Sequence, residues 1–502
     1  MKIAYFLDIP IGLGGAGNVL LEQAKLINSV HDVLVLIPCN ADGVMNPEYR
    51  HRCERACLNY QGMCYPTAYA IQNIDMIQVW QAVEKIREMA RREKVDFFHS
   101  VQLNIAAELA SRELHIPHLM NIYQIEPSEF LFARMDIFPR YHSCDSHLFC
   151  RVWKDNLGVM TRCIRPSAPL AAIRHKERRA GGALKILMLG GICGHKNQLC
   201  AIRAVHRCRE KGLPVFLTIA GSADRAYEEK CRAYVAAHGL EEAVRILGFQ
   251  SNVAPLLEEH DCFLCASVNE SFPSSIVEAM TYGLTVISTP VAGVPELLVD
   301  GINAFISQGY GAEDMADSIA ACFCAYGEDR IHKQAAELWG EHFAPEVVRR
   351  QLNEYYGEIL QDYPPSPGKT AGKRVTEQDI QEICKRLWDR GIRENYVLSR
   401  CYYYACLSRI LEPGEAWIWG AGNFGRYAKE IAEAVFPQIH IAAFVDGRKT
   451  GEYLGLPVYT PESVGPGAVK YMFISFARGR EAAMDVLEGK GFVRNRDALT
   501  LP

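Results

Sequence analysis

Apolar residues recur along the chain as short continuous runs that are separated by longer amphipathic segments. Near the N-terminus, KIAYFLDI predicts a strand, AGNVLLEQAKLINS a helix and HDVLVLIP a second strand, and this alternation continues to HLMNIY at residues 118–123. Buried strands that alternate with amphipathic helices are typical of a parallel sheet with helical crossovers. We therefore predict a doubly wound α/β domain over residues 1–173.

A second alternating series begins at LKILMLGG and continues through PVFLTIAG, VRILGF, DCFLCAS and TVISTP. It predicts a second doubly wound domain over residues 174–362, which ends in the helix PEVVRRQLNEYYGEIL. The charged stretch RHKERRAGGALK (174–185) reads as the linker between the two domains. A Pro-, Gly- and Lys-rich linker over 363–375 then precedes a third unit, 376–502, with a helical patch and a small β-loop-α-β pattern.

Composition narrows the class of protein. Apolar residues make up 49% and charged residues 23% of the 502 residues, so each domain can bury a core, and a net charge of −5 argues against a general nucleic-acid binder. No apolar run approaches the ~20 residues that span a bilayer. Asp8 and Pro10 interrupt the first apolar run, so we expect no signal peptide.

The 18 cysteines are scattered through apolar and helical stretches, which favours reduced thiols packed as small hydrophobes. One C-x-x-C pair, Cys262 and Cys265, lies in a predicted strand. Residues three apart on a strand face opposite ways. We therefore predict that these two thiols do not share a metal, and that the protein holds no zinc.

The segment NESFPSSIVEAMTYG (269–283) is the most informative about chemistry. It joins a predicted strand to a predicted helix, and Ser274 and Ser275 are suitable N-cap residues. A helix start at the carboxyl edge of a parallel sheet offers free N–H groups to an anion, at the place where open α/β sheets bind ligands.

Two carboxylates, Glu270 and Glu278, flank this turn with seven residues between them. Carboxylates accept hydrogen bonds from sugar hydroxyls, while backbone amides can bind phosphate. The pattern Ser275-x-x-Glu278 also fits a capping box, in which Glu278 would only close the first helical turn.

The ordered stretch ESFPSSIVEAMTYGLTVISTPVAGVPELLVDG (270–301) resembles the signature of retaining glycosyltransferases of the GT-B fold, family 4, also called glycosyl transferases group 1. The resemblance covers roughly residues 1–360. It implies two Rossmann-like domains that face each other across a cleft. It also implies transfer of a sugar from a UDP- or GDP-linked donor to a glycan or a lipid-linked glycan, in assembly of bacterial surface polysaccharide.

By this resemblance Glu270 would contact hydroxyls of the transferred sugar, and Glu278 would hold the ribose. The backbone around the turn would bind sugar and diphosphate, namely Phe272, Pro273, Ser274, Ser275 and Ile276. In the loop GGICGHKNQ, Gly190 would lie at the donor and Lys196 matches the lysine that neutralises its phosphates. Gly191 stands where the family has an arginine, so one phosphate cation is missing. His195 could replace that charge only when protonated, and we expect that it does not.

The first glycine loop, GLGGAG (12–17), reads literally as the dinucleotide-binding pattern of Gly12, Gly14 and Gly17. That pattern needs an acidic residue at the end of the second strand, and the strand here ends in Pro38, Cys39 and Asn40. The loop fits the family's first loop better, so we predict that Gly14 and Gly15 approach the donor. Asn18 and Tyr123 are predicted on the acceptor side, with Tyr123 where many relatives have a histidine; a tight turn and a packed aromatic are the structural alternatives.

The third unit carries a second glycine loop, GAGNFG, with Gly420, Gly422 and Gly425, and Asp446 ends the following strand 21 residues after Gly425. This unit resembles small domains attached to sugar acyltransferases and methyltransferases. Those domains either bind a nucleotide or a sugar-nucleotide or only pack, and these alternatives stay open here.

The chain contains no D-x-D pair, so we expect a metal-independent transferase that needs no cofactor. Its expected location is the cytoplasm, either free or in peripheral contact with the inner face of the cell membrane. Two alternatives remain: an NAD-dependent oxidoreductase of sugar nucleotides, which lacks a Tyr-x-x-x-Lys constellation, and a catalytically silent sugar-nucleotide scaffold. The sequence does not indicate the oligomeric state.

Overall fold

The computed structural model describes residues 1–10, 14–40, 42–67, 76–123, 140–157, 159–168, 182–325, 329–363, 377–393, 401–465, 467–475, 480–492 and 497–501. They form three α/β units in chain order. Most of the first predicted linker and nearly all of the second lie outside these ranges, and the predicted strand LKILMLGG begins at Leu184, inside the end of the first predicted linker.

The first unit is a parallel sheet in the order β3-β2-β1-β4-β5-β6-β7. Its central strands are buried along almost their whole length because helices cover both faces. The elements are β1 (Lys2–Phe6), α1 (Gly15–Ile27), β2 (Asp32–Pro38), α2 (Pro47–Arg55), β3 (Asn59–Met63), α3 (Met76–Glu93), β4 (Phe97–Val101), α4 (Ile105–Leu114), β5 (His118–Asn121), β6 (Tyr141–Cys144), α5 (His147–Leu157) and β7 (Met160–Cys163).

The second unit is a parallel sheet in the order β10-β9-β8-β11-β12-β13. Its elements are β8 (Leu184–Leu189), α6 (Gln198–Glu210), β9 (Val215–Ala220), α7 (Arg225–Ala237), β10 (Val244–Ile246), α8 (Ala254–Glu259), β11 (Cys262–Cys265), α9 (Ser274–Thr281), β12 (Thr285–Ser288), β13 (Phe305–Ile306), α10 (Ala312–Ala325) and α11 (Asp329–His342).

The two cysteines of β11 face opposite sides of this sheet, as the sequence predicts. The Cys262 sulfur lies 3.4 Å from the sulfur of Cys322 in the core on one face. Cys265 belongs to the apolar cluster on the other face, together with Phe272.

Helix α12 (Pro345–Asp362) follows the second unit in sequence but packs on the first. The Tyr355 hydroxyl donates to the carbonyls of His142 and Met160, each at 2.9 Å. The Tyr356 hydroxyl lies 2.6 Å from the Tyr5 hydroxyl inside the first core. The chain therefore crosses between the two units twice.

The third unit has the sheet order β16-β17-β15-β14-β18-β19, in which only the β16–β17 pair is antiparallel. Its elements are α13 (Glu377–Asp389), α14 (Cys401–Ile410), β14 (Gly414–Trp419), α15 (Asn423–Val435), β15 (Ile439–Val445), β16 (Gly451–Tyr453), β17 (Leu456–Tyr459), β18 (Tyr471–Ile474), α16 (Arg480–Gly489) and β19 (Ala498–Thr500). The third sheet is thus separate from the first two and mostly parallel. Among the described residues, every helix is too short or too polar to cross a membrane.

Candidate active site

The order of strands in the second unit locates its ligand site. Strands β8 and β11 lie side by side at the point where the strand order reverses, and open α/β sheets bind ligands beyond the carboxyl ends of such strands. The loop after β8 carries Lys196, and the loop after β11 carries Glu270. The fold thus brings together two predicted site residues that are far apart in sequence.

Lys196 and Glu270 form a short, partly buried ion pair. The Ser267 hydroxyl also donates to the same Glu270 oxygen at 3.1 Å. The Val268 N–H donates to the His195 carbonyl at 2.8 Å, which ties the two loops together. Burial alone would lower the pKa of Lys196, but the charge of Glu270 and its hydrogen bond raise that pKa above its ordinary value, so the ammonium stays charged.

The two glycines before Lys196, Gly190 and Gly191, differ in whether the backbone and the surrounding space allow a side chain. Gly190 has a φ of +136°, which favours glycine, and a Cβ there would lie 3.7 Å from the Lys196 side chain. At Gly191 a Cβ would meet Cys193 and Ser222 only at an ordinary 3.8 Å. Burial and the charge of Lys196 lower the pKa of His195, so a neutral imidazole does not replace the missing arginine near neutral pH.

The turn into α9 differs from the prediction in one respect. Pro273, not Ser274 or Ser275, is the N-cap, and no side chain caps the helix. The φ of Pro273, −66°, suits it to precede the first helical residue. The two serines therefore lie in the first turn, and the alternative in which Ser275 and Glu278 form a capping box does not occur.

This arrangement leaves donors at the start of α9. The Ile276 N–H donates to the Pro273 carbonyl at 3.0 Å. Within the described parts of the chain, the N–H groups of Ser274 and Ser275 have no acceptor. The first turn of α9 can therefore bind an anion, as the sequence predicts for this turn.

Glu278 lies on the part of α9 that faces the first unit. Burial raises its pKa, while Arg52 of α2 opposes the shift and Glu22 of α1 adds to it. No hydrogen bond or ion pair joins its carboxylate to another described residue. Glu278 is thus a partly buried acceptor close to a cation of the other unit.

The first glycine loop is described from Gly14 onward, whereas Gly12 lies outside the described residues. Gly14 is the N-cap of α1, and a Cβ at Gly15 would meet nothing within 4 Å. A Cβ at Gly17 would instead lie 2.2 Å from an oxygen of Asp8, so this glycine is required by packing. The Asn18 side chain accepts a hydrogen bond from Arg52 at 3.2 Å.

Tyr123 follows β5 and is buried. Its hydroxyl accepts a hydrogen bond from the Asn121 amide at 3.1 Å. Burial, together with the charges of Asp145 and Asp8, raises the pKa of Tyr123 well above its ordinary range. Tyr123 therefore stays protonated, and it could orient a hydroxyl but not act as a base.

Two acidic residues of the first unit escaped the sequence analysis. Asp145 follows β6, and burial raises its pKa to about 7, although Ser271 and Arg165 oppose the shift. The charge of Glu270 in the second unit adds to this rise in pKa. Asp145 therefore lies on the side of the first unit that faces the second. Asp8 follows β1; one of its oxygens accepts from the Tyr49 hydroxyl at 2.9 Å, while the other is buried without a partner. In the sequence, the one feature that could have indicated Asp8 and Asp145 as site residues is that each carboxylate comes just after a strand.

The second glycine loop has the local geometry of a dinucleotide fingerprint. Gly420 has a φ of +116°, and a Cβ at Gly425 would lie 1.9 Å from the Gly420 carbonyl oxygen. Gly422 is the N-cap of α15. Asp446, however, accepts hydrogen bonds from the N–H groups of Ala421, Arg448 and Lys449 at 2.8–3.1 Å, so its carboxylate already stabilises the loop.

The first two units are parallel sheets that face each other, and helix α12 returns from the second unit to the first. The second unit also begins a helix at its switch point. These features define the GT-B fold. Residues 171–335 match the family described as glycosyl transferases group 1. The matched segment is the second unit, which holds Lys196, Glu270 and Glu278.

Individual relatives agree with this class. The chain is 28% identical to a putative colanic acid biosynthesis glycosyltransferase of Escherichia coli over 34% of its own length and 44% of the relative. It spans less than half the length of the first curated relatives that it matches.

A glycosyltransferase structure from Rickettsia africae has a TM-score of 0.60 at 18% identity, and the match covers 72% of this chain and 99% of that structure. Anabaena Alr3699/HepE in complex with UDP gives 0.58 at 18% identity, over 71% and 100%. The structural matches establish the fold.

Proposed function

We propose that this protein is a retaining glycosyltransferase that moves a sugar from a nucleotide-diphosphate sugar to a glycan or glycolipid acceptor in surface polysaccharide assembly. The observation that carries the proposal is the Lys196–Glu270 pair beside the free N–H groups of Ser274 and Ser275. This constellation combines a cation and amide donors for a diphosphate with a carboxylate for sugar hydroxyls. The match to a relative named for colanic acid biosynthesis supports the polysaccharide setting.

In this proposal the diphosphate lies between the Lys196 ammonium and the first turn of α9, with Gly190 beside it. Phe272, Pro273 and Ile276 shape the turn, and Glu270 orients the transferred sugar. Glu278 accepts hydrogen bonds from the ribose hydroxyls. Gly14 and Gly15 approach the donor from the first unit, while Asn18 and Tyr123 lie on the acceptor side.

The proposed reaction retains the anomeric configuration without a covalent enzyme intermediate. The acceptor oxygen bonds to the anomeric carbon from the face that the diphosphate leaves, the bond from carbon to phosphate oxygen breaks, and the acceptor proton passes to a diphosphate oxygen. The residues act by positioning and by stabilising the charge of the leaving group. No step in this scheme needs a metal ion. We propose UDP-linked donors as the first to test, because the Anabaena protein was solved with UDP, and GDP-linked donors as the second.

The test is a screen of nucleotide-sugars for transfer or hydrolysis, followed by Glu270→Gln and Lys196→Met. Removing one such electrostatic contact typically lowers kcat about 100-fold, and we expect a loss of that order. Lys185 and Glu259 are a matched control, because they form an exposed ion pair in the same unit at 3.1 Å. Their variants, Lys185→Met and Glu259→Gln, should keep the parent rate.

Two results would contradict the proposal. The first is a folded parent protein that neither binds nor turns over any nucleotide-sugar. The second is a Glu270→Gln variant with more than half of the parent rate. Loss of transfer in excess EDTA would contradict the metal-independent part alone.

A further inference from the structure

A buried cluster joins the first unit to the turn that precedes α9. We call it the interdomain clasp and define it by Arg165 and Ser146 of the first unit and Ser271, Phe272 and Glu296 of the second. Arg165 follows β7 and comes just before the chain crosses to the second unit. Phe272 also packs against Phe343, at 5.5 Å between ring centres, just before α12 crosses back. The clasp thus lies where both crossovers meet.

Arg165 contacts two other residues of the clasp, Glu296 and Phe272, and also the neighbouring Asp145. One terminal nitrogen donates to the Asp145 carbonyl at 2.8 Å, and the other donates to a carboxylate oxygen of Glu296 at 2.5 Å. The guanidinium carbon lies 4.9 Å from the centre of the Phe272 ring. The planar fork of an arginine makes such contacts together, which a lysine ammonium cannot do.

Glu296 belongs to the second unit but caps a helix of the first. Its two oxygens accept hydrogen bonds from the N–H groups of His147 and Leu148 at 2.9 Å and 2.8 Å, at the start of α5. Burial would raise the pKa of Glu296, but these N–H groups and Arg165 lower that pKa, so the carboxylate is ionised. A carboxylate at this end of a helix is favourable.

The clasp holds the residue that directly follows Glu270. The Ser271 hydroxyl lies 3.1 Å from the Ser146 hydroxyl and 3.1 Å from the Cys144 sulfur. Its carbonyl accepts from the Gly293 N–H at 2.9 Å. A Cβ at Gly293 would lie 2.6 Å from Ser146 and 2.8 Å from the Ser271 carbonyl oxygen, so the two units touch closely here.

We propose that Arg165 and Glu296 are positioning residues, which orient the Glu270 carboxylate and the first turn of α9 by holding Ser271 and Phe272. This inference rests on the proposed function. Ser271 and Phe272 lie in sequence between Glu270 and the free N–H groups of Ser274 and Ser275. A loose clasp would therefore misalign both the carboxylate and the N–H groups. A misplacement of about 1 Å in such a site can cost about 100-fold in rate.

Arg165→Gln and Glu296→Gln test the inference, with Arg162→Gln as the matched control. Arg162 lies on β7, is partly buried and pairs with Glu358 of α12 at 2.5 Å. We expect each clasp variant to lower kcat about tenfold or more, with the donor KM within about threefold and the control unchanged. The double variant should be no slower than the slower single variant, because the two residues act together. A purely structural role would lower only the unfolding temperature.

Hydrogen–deuterium exchange of the amides at 271–276 separates this inference from the proposed function. Faster exchange in either clasp variant than in Arg162→Gln supports the clasp even if the parent protein turns over no nucleotide-sugar, in which case only the function fails. A folded clasp variant with kcat within twofold of an active parent overturns the inference. So does an inactive parent whose exchange at 271–276 is the same in all three variants. Glu296→Gln is the nearly isosteric variant to use if Arg165→Gln does not fold.

Discussion

At the scale of single residues, the Lys196 ammonium has two possible partners, the Glu270 carboxylate and the diphosphate of a bound donor. It pairs with Glu270, whose carboxylate also accepts from Ser267. A diphosphate bound at the start of α9 would compete with Glu270 for that ammonium, and Glu270 would keep the Ser267 hydrogen bond. In the proposed reaction, donor binding therefore frees part of the Glu270 carboxylate for the hydroxyls of the sugar.

Gly191 offers a gain-of-function prediction. Its backbone φ lies outside the left-handed region, and a Cβ would have only ordinary contacts, so a long side chain fits. Gly191→Arg should add one charged hydrogen bond to the diphosphate, worth about 1.5–3 kcal/mol, and tighten the Kd for UDP about tenfold or more. Titration calorimetry measures this, and Gly191→Gln, without the charge, is the control. Equal Kd values for Gly191→Arg and parent would show that the diphosphate does not lie beside this glycine.

Asp145 predicts a pH dependence of stability. Burial raises its folded pKa to about 7 from an ordinary 3.8, while Arg165 and Ser271 oppose the shift and Glu270 adds to it. Between these two pKa values the folded protein binds more protons than the unfolded chain, so the free energy of unfolding should fall as pH rises from about 4 to about 7 and then level off.

Urea unfolding at about pH 5 and about pH 8 measures this dependence. Burial also raises the pKa of Asp8, so the parent must be compared with Asp145→Asn rather than judged alone. Asp145→Asn should reduce the difference between the two pH values. An identical difference in parent and variant would show that Asp145 is ionised across this range.

At the scale of elements, helix α12 shows how the second crossover stabilises the first unit. The Tyr356 hydroxyl is fully buried and lies 2.6 Å from the Tyr5 hydroxyl and 2.7 Å from a ring nitrogen of His99. Tyr356→Phe removes the shared partner and leaves two buried polar groups with one fewer hydrogen bond. We expect a loss of about 1–3 kcal/mol in the unfolding free energy of the first unit, measured by urea titration followed by circular dichroism. Tyr459→Phe, at a half-exposed position on β17, should change it little.

Elements with long apolar runs were predictable from the sequence, and elements without them were not. The runs that became β1, β2, β8 and β9 contain four or more buried apolar residues each. By contrast, β6 (YHSC) and β7 (MTRC) are short and half polar, so period and composition do not separate them from loops. Asp145 comes directly after β6 and Arg165 two residues after β7, which explains why the sequence did not indicate the clasp.

The start of α9 shows a finer limit of the sequence analysis. Two serines in a row favour an N-cap at either position, but the proline before them already has the required φ and becomes the N-cap itself. The prediction of an anion-binding turn does not depend on this choice, because the first-turn N–H groups remain free either way. The role of Glu278 does depend on it, since a residue outside a capping box is available to a ligand.

At the scale of the whole molecule, the second and third units each place a glycine-containing loop before a helix, and the side chains next to these two loops differ. In the second unit, Lys196 and Glu270 lie at the switch point of the sheet. In the third unit, Asp446 is bound by three backbone N–H groups, and Lys449 donates to the Ala421 carbonyl at 2.5 Å. The side chains of Asp446 and Lys449 thus form hydrogen bonds with the second glycine loop and its neighbours. This difference predicts that UDP and UDP-sugars bind to the second unit.

A thermal-shift experiment on the full chain tests that assignment with one variant in each loop. Ligand at about 100 times its Kd stabilises a folded protein by about 2.7 kcal/mol, which raises the apparent unfolding temperature measurably. Lys196→Met should remove the shift caused by UDP. Gly422→Val should keep it. Nothing lies within 4 Å of a Cβ at Gly422, so we expect this variant to fold, with its side chain in the second glycine loop. The opposite pattern, a shift lost in Gly422→Val and kept in Lys196→Met, would assign the nucleotide to the third unit.

NAD in the same assay tests directly whether GAGNFG binds a dinucleotide, since any shift that Gly422→Val abolishes must arise at that loop.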